Sequence, residues 1–177
     1  MSLPTDVVLR PAEAGDFERI HEIYAHHVRH GLASFEEEPP TRAELVERHA
    51  AIVGRGLPYL VALKDGRLVG YSYAAPYRTR SAYRFTVEDS VYLAPEAAGQ
   101  GIGRQLLSAV LARCTELGYR QMVAVIGDSG NAASIGLHHS LGFRMIGSIE
   151  GAGFKLGRWV DSVLMQRALG AGTTAPP

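Results

Sequence analysis

Cysteine is nearly missing from this 177-residue chain: Cys114 stands alone, so an intramolecular disulfide is excluded and a reactive thiol would need another partner close by. Net charge is missing too. Lysine plus arginine total 18 and aspartate plus glutamate total 18, which leaves no basic excess of the kind that nucleic acid or an anionic membrane attracts. No apolar run approaches the roughly 18 residues of a membrane span, and Met1 to Arg10 lacks the charged-then-apolar order of a secretory signal. These absences predict a soluble, cytoplasmic protein with a small, roughly neutral partner. Internal repeats and a dividing linker are also absent. One domain over 1–169 is expected, long enough for a real core, followed from Gly170 by a small-residue, proline-containing tail (GAGTTAPP) expected to be disordered.

What is present in quantity is glycine, and its densest use is Ala98-Gly99-Gln100-Gly101-Ile102-Gly103-Arg104. Glycines at alternate positions let a turn reach positive φ and aim several N–H groups inward. Behind them Leu106, Val110, Cys114 and Leu117 recur at helical spacing, widened by Leu107 and Leu111, so the turn falls at a helix N-terminus and suits a phosphate or pyrophosphate. The same stripe makes Cys114 a packing residue. A Walker loop is excluded because no lysine follows the glycines. A dinucleotide fingerprint fails because Arg104 and Leu106 occupy the candidate positions for its third glycine, although Asp128 follows the next strand.

In chain order, Asp6 to Arg10 reads as a strand, and Asp16 as the cap of a helix presenting Phe17, Ile20, Ile23, Tyr24 and Val28. His21, His26, His27 and His30 crowd that helix. His26 and His30 have ligand spacing, but Ala25 breaks the zincin pattern, so a polar face is expected and no metal. After the turn-rich segment GLASFEEEPP (31–40), Thr41 and Glu44 form a capping box for a helix carrying Leu45, His49, Ile52 and Val53. PYLVALK (58–64), the turn Asp65-Gly66 and RLVGYSYAA (67–75) form a hairpin. The basic, aromatic loop Tyr77 to Tyr83 precedes a strand, Phe85 to Leu93, in which Asp89 is the odd acid on the apolar side. The remainder reads as the glycine turn and its helix, a doubly buried strand Gln121 to Gly127, a helix Asn131 to Leu141, a strand Phe143 to Glu150, a glycine-rich loop Gly151 to Gly157, and a strand Trp159 to Arg167.

This order, with Gly101 and Gly103 in the loop, resembles the GCN5-related N-acetyltransferases over nearly the whole chain, although Ala98 stands where their loop usually has Arg or Gln. It is most similar to the phosphinothricin, methionine sulfone and methionine sulfoximine N-acetyltransferase group. The matching blocks are Ser34-Phe35-Glu36, Arg80 to Tyr83, Thr86-Val87-Glu88, Asn131 through Ser134, Leu137 and His138 to Leu141-Gly142-Phe143, and Lys155 to Asp161. The resemblance implies an α/β (α+β) acyl-CoA N-acyltransferase fold, with a mixed sheet of about seven strands flanked by about four helices. It also implies acetyl-CoA as co-substrate without a metal, a small-molecule amine as partner, and a homodimer.

Site residues follow from the same match. An aliphatic ammonium, with a pKa of about 10, must lose its proton before it can attack a thioester, and Glu88 is the expected base, with Asp89 as fallback. His138 stands where many relatives carry tyrosine, as proton donor to the departing thiolate or as an orienter of the substrate. Val91, Tyr92 and Leu93 are expected to hold the thioester and pantetheine arm, and Gly99, Gln100, Gly101, Ile102, Gly103 and Arg104 the pyrophosphate. Asn131 and Ser140 complete the cofactor set. Phe35, Glu36, Arg78, Arg80, Ser81, Ala82 and Tyr83 are expected around the amine substrate, with the arginines clamping a carboxylate. A peptide N-terminal acetyltransferase, a non-catalytic acyl-CoA sensor and a nucleotide-dependent enzyme remain the alternatives.

Overall fold

In the computed structural model, which describes residues 7–177, seven strands form one sheet in the order β1-β2-β3-β4-β5-β7-β6. They are β1 (Val7–Pro11), β2 (Tyr59–Lys64), β3 (Arg67–Pro76), β4 (Thr86–Leu93), β5 (Gln121–Gly127), β6 (Arg144–Lys155) and β7 (Arg158–Ala168). The helices are α1 (Phe17–His30), α2 (Arg42–Val53), α3 (Ile102–Glu116) and α4 (Ala132–Ser140). Only β4 and β5 pair in parallel, across the crossover made by α3. The expected strand from Asp6 is seen from Val7 onward, Asp6 lying outside the described residues.

Local chemistry explains most boundaries. The α1 stripe of Phe17, Ile20, Ile23, Tyr24 and Val28 is buried, and the helix stops at Gly31, whose N–H donates to the His27 carbonyl at 2.9 Å. In α2 the Glu44 N–H donates to Thr41 Oγ1 at 3.2 Å while the Glu44 carboxylate accepts the Thr41 N–H at 2.6 Å, a reciprocal cap. Between β2 and β3, Asp65 and Gly66 both have positive φ, 53° and 75°, as a two-residue turn matched to strand twist requires.

Several expectations are corrected. Asp16 does not cap α1 with its side chain; it accepts two hydrogen bonds from Arg10, at 2.7 and 2.8 Å, and a third from the Glu13 N–H. Val53 and Leu117 are exposed: Val53 is the helical neighbour of Ile52, which takes the buried side of α2, and Leu117 follows the last residue of α3, where Cys114 still faces the core. Strand β5 alternates rather than burying both faces, since no helix covers Val125, which is 40 % exposed. The expected glycine-rich loop is strand: β6 runs on to Lys155 and meets β7 through the tight turn Leu156-Gly157, with φ of 50° and 76°. Beyond Gly170 the chain takes turns, and Arg120 donates to the carbonyls of Gly172 and Pro176.

Helix α3 packs Leu106, Leu107, Val110, Leu111 and Cys114 onto the sheet, and α1 and α2 cover the opposite face. Leu106→Ala should therefore cost roughly 2–5 kcal/mol, the range for emptying a filled core site, whereas Leu117→Ala should cost less than about 1 kcal/mol. Urea unfolding of the two variants measures the difference.

Candidate active site

Pairing between β4 and β5 covers only Thr86–Asp89 against Gln121–Ala124. Beyond Asp89 the strands part, β4 staying with β3 through Leu93 and β5 with β7 through Gly127. A cleft of about 1080 Å³ opens there. Its walls include Val91, Tyr92 and Leu93 on one side, Gly127, Asn131 and Ser140 on another, and Gly99, Gly101, Gly103 and Arg104 at one end. The facing strand edges carry backbone N–H and C=O groups that no sheet neighbour takes, which fits a ligand containing amides.

The glycine turn meets its expected geometry. Gly99 and Gly101 have φ of 72° and 77°, and Gly101 is the N-cap of α3, so free N–H groups and the positive end of the helix dipole converge on the cleft. Gly103 already lies within α3, where an added Cβ would stand 3.4 Å from both Leu93 and Leu137, so its smallness lets helix, strand and α4 close up. Arg104 donates to Ser140 Oγ at 2.8 Å and bridges α3 to α4 at the rim. These residues fit a pyrophosphate. Asn131 caps α4, its side-chain oxygen accepting the Ser134 N–H at 3.1 Å. Two side chains of the turn point elsewhere: Gln100 donates to the Glu96 carbonyl and accepts from Lys64 Nζ, and Ile102 is buried in the core.

Glu88 faces the other side of the sheet. It lies opposite Ala75 on β3, in a row with Ser90, which is opposite Tyr73, and with Tyr92, which is opposite Tyr71. Tyr59, Tyr71 and Tyr73 stack nearly parallel, and Tyr24 of α1 meets Tyr92 edge-on at 5.0 Å, so the carboxyl sits at the end of an aromatic wall. Burial, then the neighbouring Asp89 charge, pushes Glu88 up to about 7. Among the described residues no group hydrogen-bonds to it.

Asp89 and His138 are the reverse case. His138, 2 % exposed, donates from Nδ1 to the Ser134 carbonyl at 2.8 Å, and its Nε2 lies 2.9 Å from Asp89 Oδ2. Burial opposes its charge, but the Asp89 hydrogen bond and negative charge outweigh that and raise its pKa. The pair fastens α4 to β4 at the last residue before the strands part. It also borders a small cavity of about 50 Å³ that reaches between Ser90–Tyr92 and Val125–Gly127.

The expected substrate residues fall into two groups. Phe35 and Glu36 lie on the loop after α1; Glu36 pairs with Arg48 at 2.6 Å, and its other oxygen is buried without a partner. In the second loop the Arg78 guanidinium lies over the rings of Tyr77 and Tyr83, at 5.1 and 5.5 Å, rather than standing free as a clamp. Arg80 is exposed and precedes a single 3-10 turn, Ser81–Tyr83, that includes Ala82 and leads into β4.

Residues 18–143 match the Acetyltransferase (GNAT) family. The chain belongs to the GNAT family. It is 56 % identical over 169 residues to a phosphinothricin N-acetyltransferase of Alcaligenes faecalis, covering 96 % of this chain and 86 % of that one. It is 38 % identical over 163 residues to an L-methionine sulfoximine/L-methionine sulfone acetyltransferase of Salmonella typhimurium, covering 92 % and 95 %. Among solved structures, a GNAT superfamily phosphinothricin acetyltransferase from Sinorhizobium meliloti in complex with AcCoA superposes with a TM-score of 0.94 at 51 % identity, covering 97 % of this chain and 92 % of that one.

This GNAT cleft also has walls that the sequence reading missed. His27 and His30 of α1 line it, and His27 donates from Nε2 to the Leu93 carbonyl at 2.7 Å. Their only signal was a histidine-rich helix end, which reads as a polar face. Ala133 and Gly136 line it through small size, and Arg158, which lay in the matched block Lys155 to Asp161 without an assigned role, arrives from the β6–β7 turn. Gly101→Asp should abolish CoA binding in a folded protein, because a carboxylate enters an anion cradle and the new side chain disfavours the φ of 77°. Calorimetric titration with CoA checks this, and unchanged affinity would refute the cradle.

Proposed function

We propose that this GNAT enzyme transfers the acetyl group of acetyl-CoA to the α-amine of a small amino-acid analogue of the phosphinothricin, methionine sulfone or methionine sulfoximine type. The observation that carries the reading is Glu88, a partly buried carboxyl without a hydrogen-bond partner, beside the point where β4 and β5 part. Acetyl-CoA supplies an electrophilic thioester. The glycine turn at Gly99–Gly103 receives its pyrophosphate, and Val91 to Leu93 offer backbone partners to the pantetheine arm. Glu88, with a pKa near 7, takes the ammonium proton directly or through water at neutral pH, where a carboxylate of ordinary pKa would be too weak a base. His138, with both ring nitrogens engaged, holds α4 and the strand vertex in register. The names of the relatives support the amine class, and the Arg80–Tyr83 turn with Phe35 and Glu36 supplies the polar and aromatic groups such a substrate needs.

The β6–β7 hairpin ends the sheet and exposes Met145, Ile146, Ile149, Phe154, Leu156 and Trp159. An edge strand carrying that much apolar surface supports pairing of two copies. The proposed assembly is therefore a homodimer, and the proposed location is the cytoplasm, where acetyl-CoA is available. No helix among the described residues is long and apolar enough to cross a membrane.

Glu88→Gln should keep acetyl-CoA affinity and lose roughly 100-fold or more in kcat. Wild-type kcat/KM for methionine sulfone should climb through about pH 7 as the carboxylate forms, and the variant should lack that step. A raised carboxyl pKa also means that folding favours the protonated form, so stability falls as pH rises from the unfolded value toward 7. Glu88→Gln should therefore raise Tm at pH 8 and leave it nearly unchanged at pH 4. Asp89→Asn is the contrast, expected to act through stability by about 3 kcal/mol because it breaks a buried pair. Thiol release over a panel of amino-acid analogues and peptides decides the substrate: a peptide with the higher kcat/KM would sink this assignment.

A further inference from the structure

Lys155 is 3 % exposed at the end of β6, and Nζ donates to the Ser34 carbonyl at 2.6 Å across 121 residues of sequence. The carboxylates acting on its charge are Glu36 and Glu37 of the same loop. A buried ammonium is costly to desolvate, and an apolar side chain of similar length would fill the space without that cost. What the ammonium adds is a directed bond to one backbone atom.

That atom is the anchor of the amine-side loop. Ser34 is buried; its hydroxyl bonds the Tyr24 hydroxyl at 2.9 Å and accepts the Glu36 N–H at 3.2 Å. Two residues before Lys155, on the same face of β6, Gly153 lies against the Phe35 ring so closely that an added Cβ would stand 2.7 Å from it. Strand β6 therefore holds Ser34 by charge and Phe35 by contact. The first half of the loop is fixed separately: Gly127 of β5 touches the Leu32 carbonyl, where a Cβ would come within 2.1 Å, and Leu32 and Ala33 line the cofactor cleft.

We propose that Lys155 is a positioning residue for the amine substrate, setting Phe35 and Glu36 through Ser34 while leaving the cofactor side of the loop to Gly127. This rests on the acetyl-transfer reading above. The test is steady-state kinetics of Lys155→Met and Gly153→Ala with methionine sulfone and acetyl-CoA. Lys155→Met should raise KM for methionine sulfone by about tenfold or more and leave KM for acetyl-CoA within about twofold, the expected result of misplacing one substrate's contacts. Gly153→Ala, which pushes on Phe35 without removing a charge, should move the same KM in the same direction. An unchanged amine KM in folded Lys155→Met, or equal rises in both KM values, overturns the proposal. If Lys155→Met does not fold, an unchanged amine KM in Gly153→Ala overturns it. Wild-type inactivity toward every amino-acid analogue refutes the functional reading instead, a result distinct from an active wild type with indifferent variants.

Discussion

Parallel pairing between β4 and β5 ends at Asp89, and both halves of the site depend on that ending. Were the ladder to continue to Leu93 and Gly127, the strand edges would satisfy each other and the cleft would close. Parting them leaves backbone donors and acceptors free in a partly enclosed place, a state that a protein tolerates where a ligand or water completes the bonds. The opening is held at its vertex by Asp89 and His138, a buried pair whose desolvation is offset by short contacts on both ring nitrogens. The price is visible in Asp89 Oδ1, which is buried without a partner.

Strand alternation assigns two adjacent acids to opposite tasks. Asp89 points under α3 and α4, finds His138 and becomes part of the scaffold. Glu88 points toward the tyrosine wall, finds no partner, and is pushed up to about 7 by burial and by its neighbour's charge. Environments that push the behaviour of neighbouring carboxyls apart are a common way of separating structure from chemistry. The reversal of parity at one residue is enough.

The two ligand-facing halves are also supported from different parts of the chain. One wall of the cofactor cleft is local, since β4, the glycine turn and α3 follow one another directly, while Gly127, Asn131 and Ser140 supply the wall that faces it. The amine side is assembled from distant pieces, with Ser34, Phe35 and Glu36 pinned by Tyr24, Arg48, Gly153 and Lys155. Arg78 shows a further consequence of three-dimensional context, since its own loop supplies Tyr77 and Tyr83 as a cation–π seat and removes it from the free clamp its sequence suggested.

Short-range rules were legible in the residues themselves. The Asp65-Gly66 turn, the Thr41/Glu44 cap, the α1 stripe and the positive-φ glycines before α3 all follow from interactions within a few residues, where sequence spacing and spatial spacing coincide. Periodicity also placed Glu88 and Asp89 on opposite faces of their strand. It did not show that Gly151 to Lys155 would be strand, because the glycines there serve the close approach of Phe35 and, at Gly157, a hairpin turn rather than a loop. Nor did it turn Gln100 away from the cleft or bring His27 and Arg158 into it. Those outcomes belong to the tertiary structure, and the physical reason is that burial and partner choice depend on which distant surfaces meet: the Asp89–His138 pair spans 49 residues and the Lys155–Ser34 bond 121, and no local pattern carries that information.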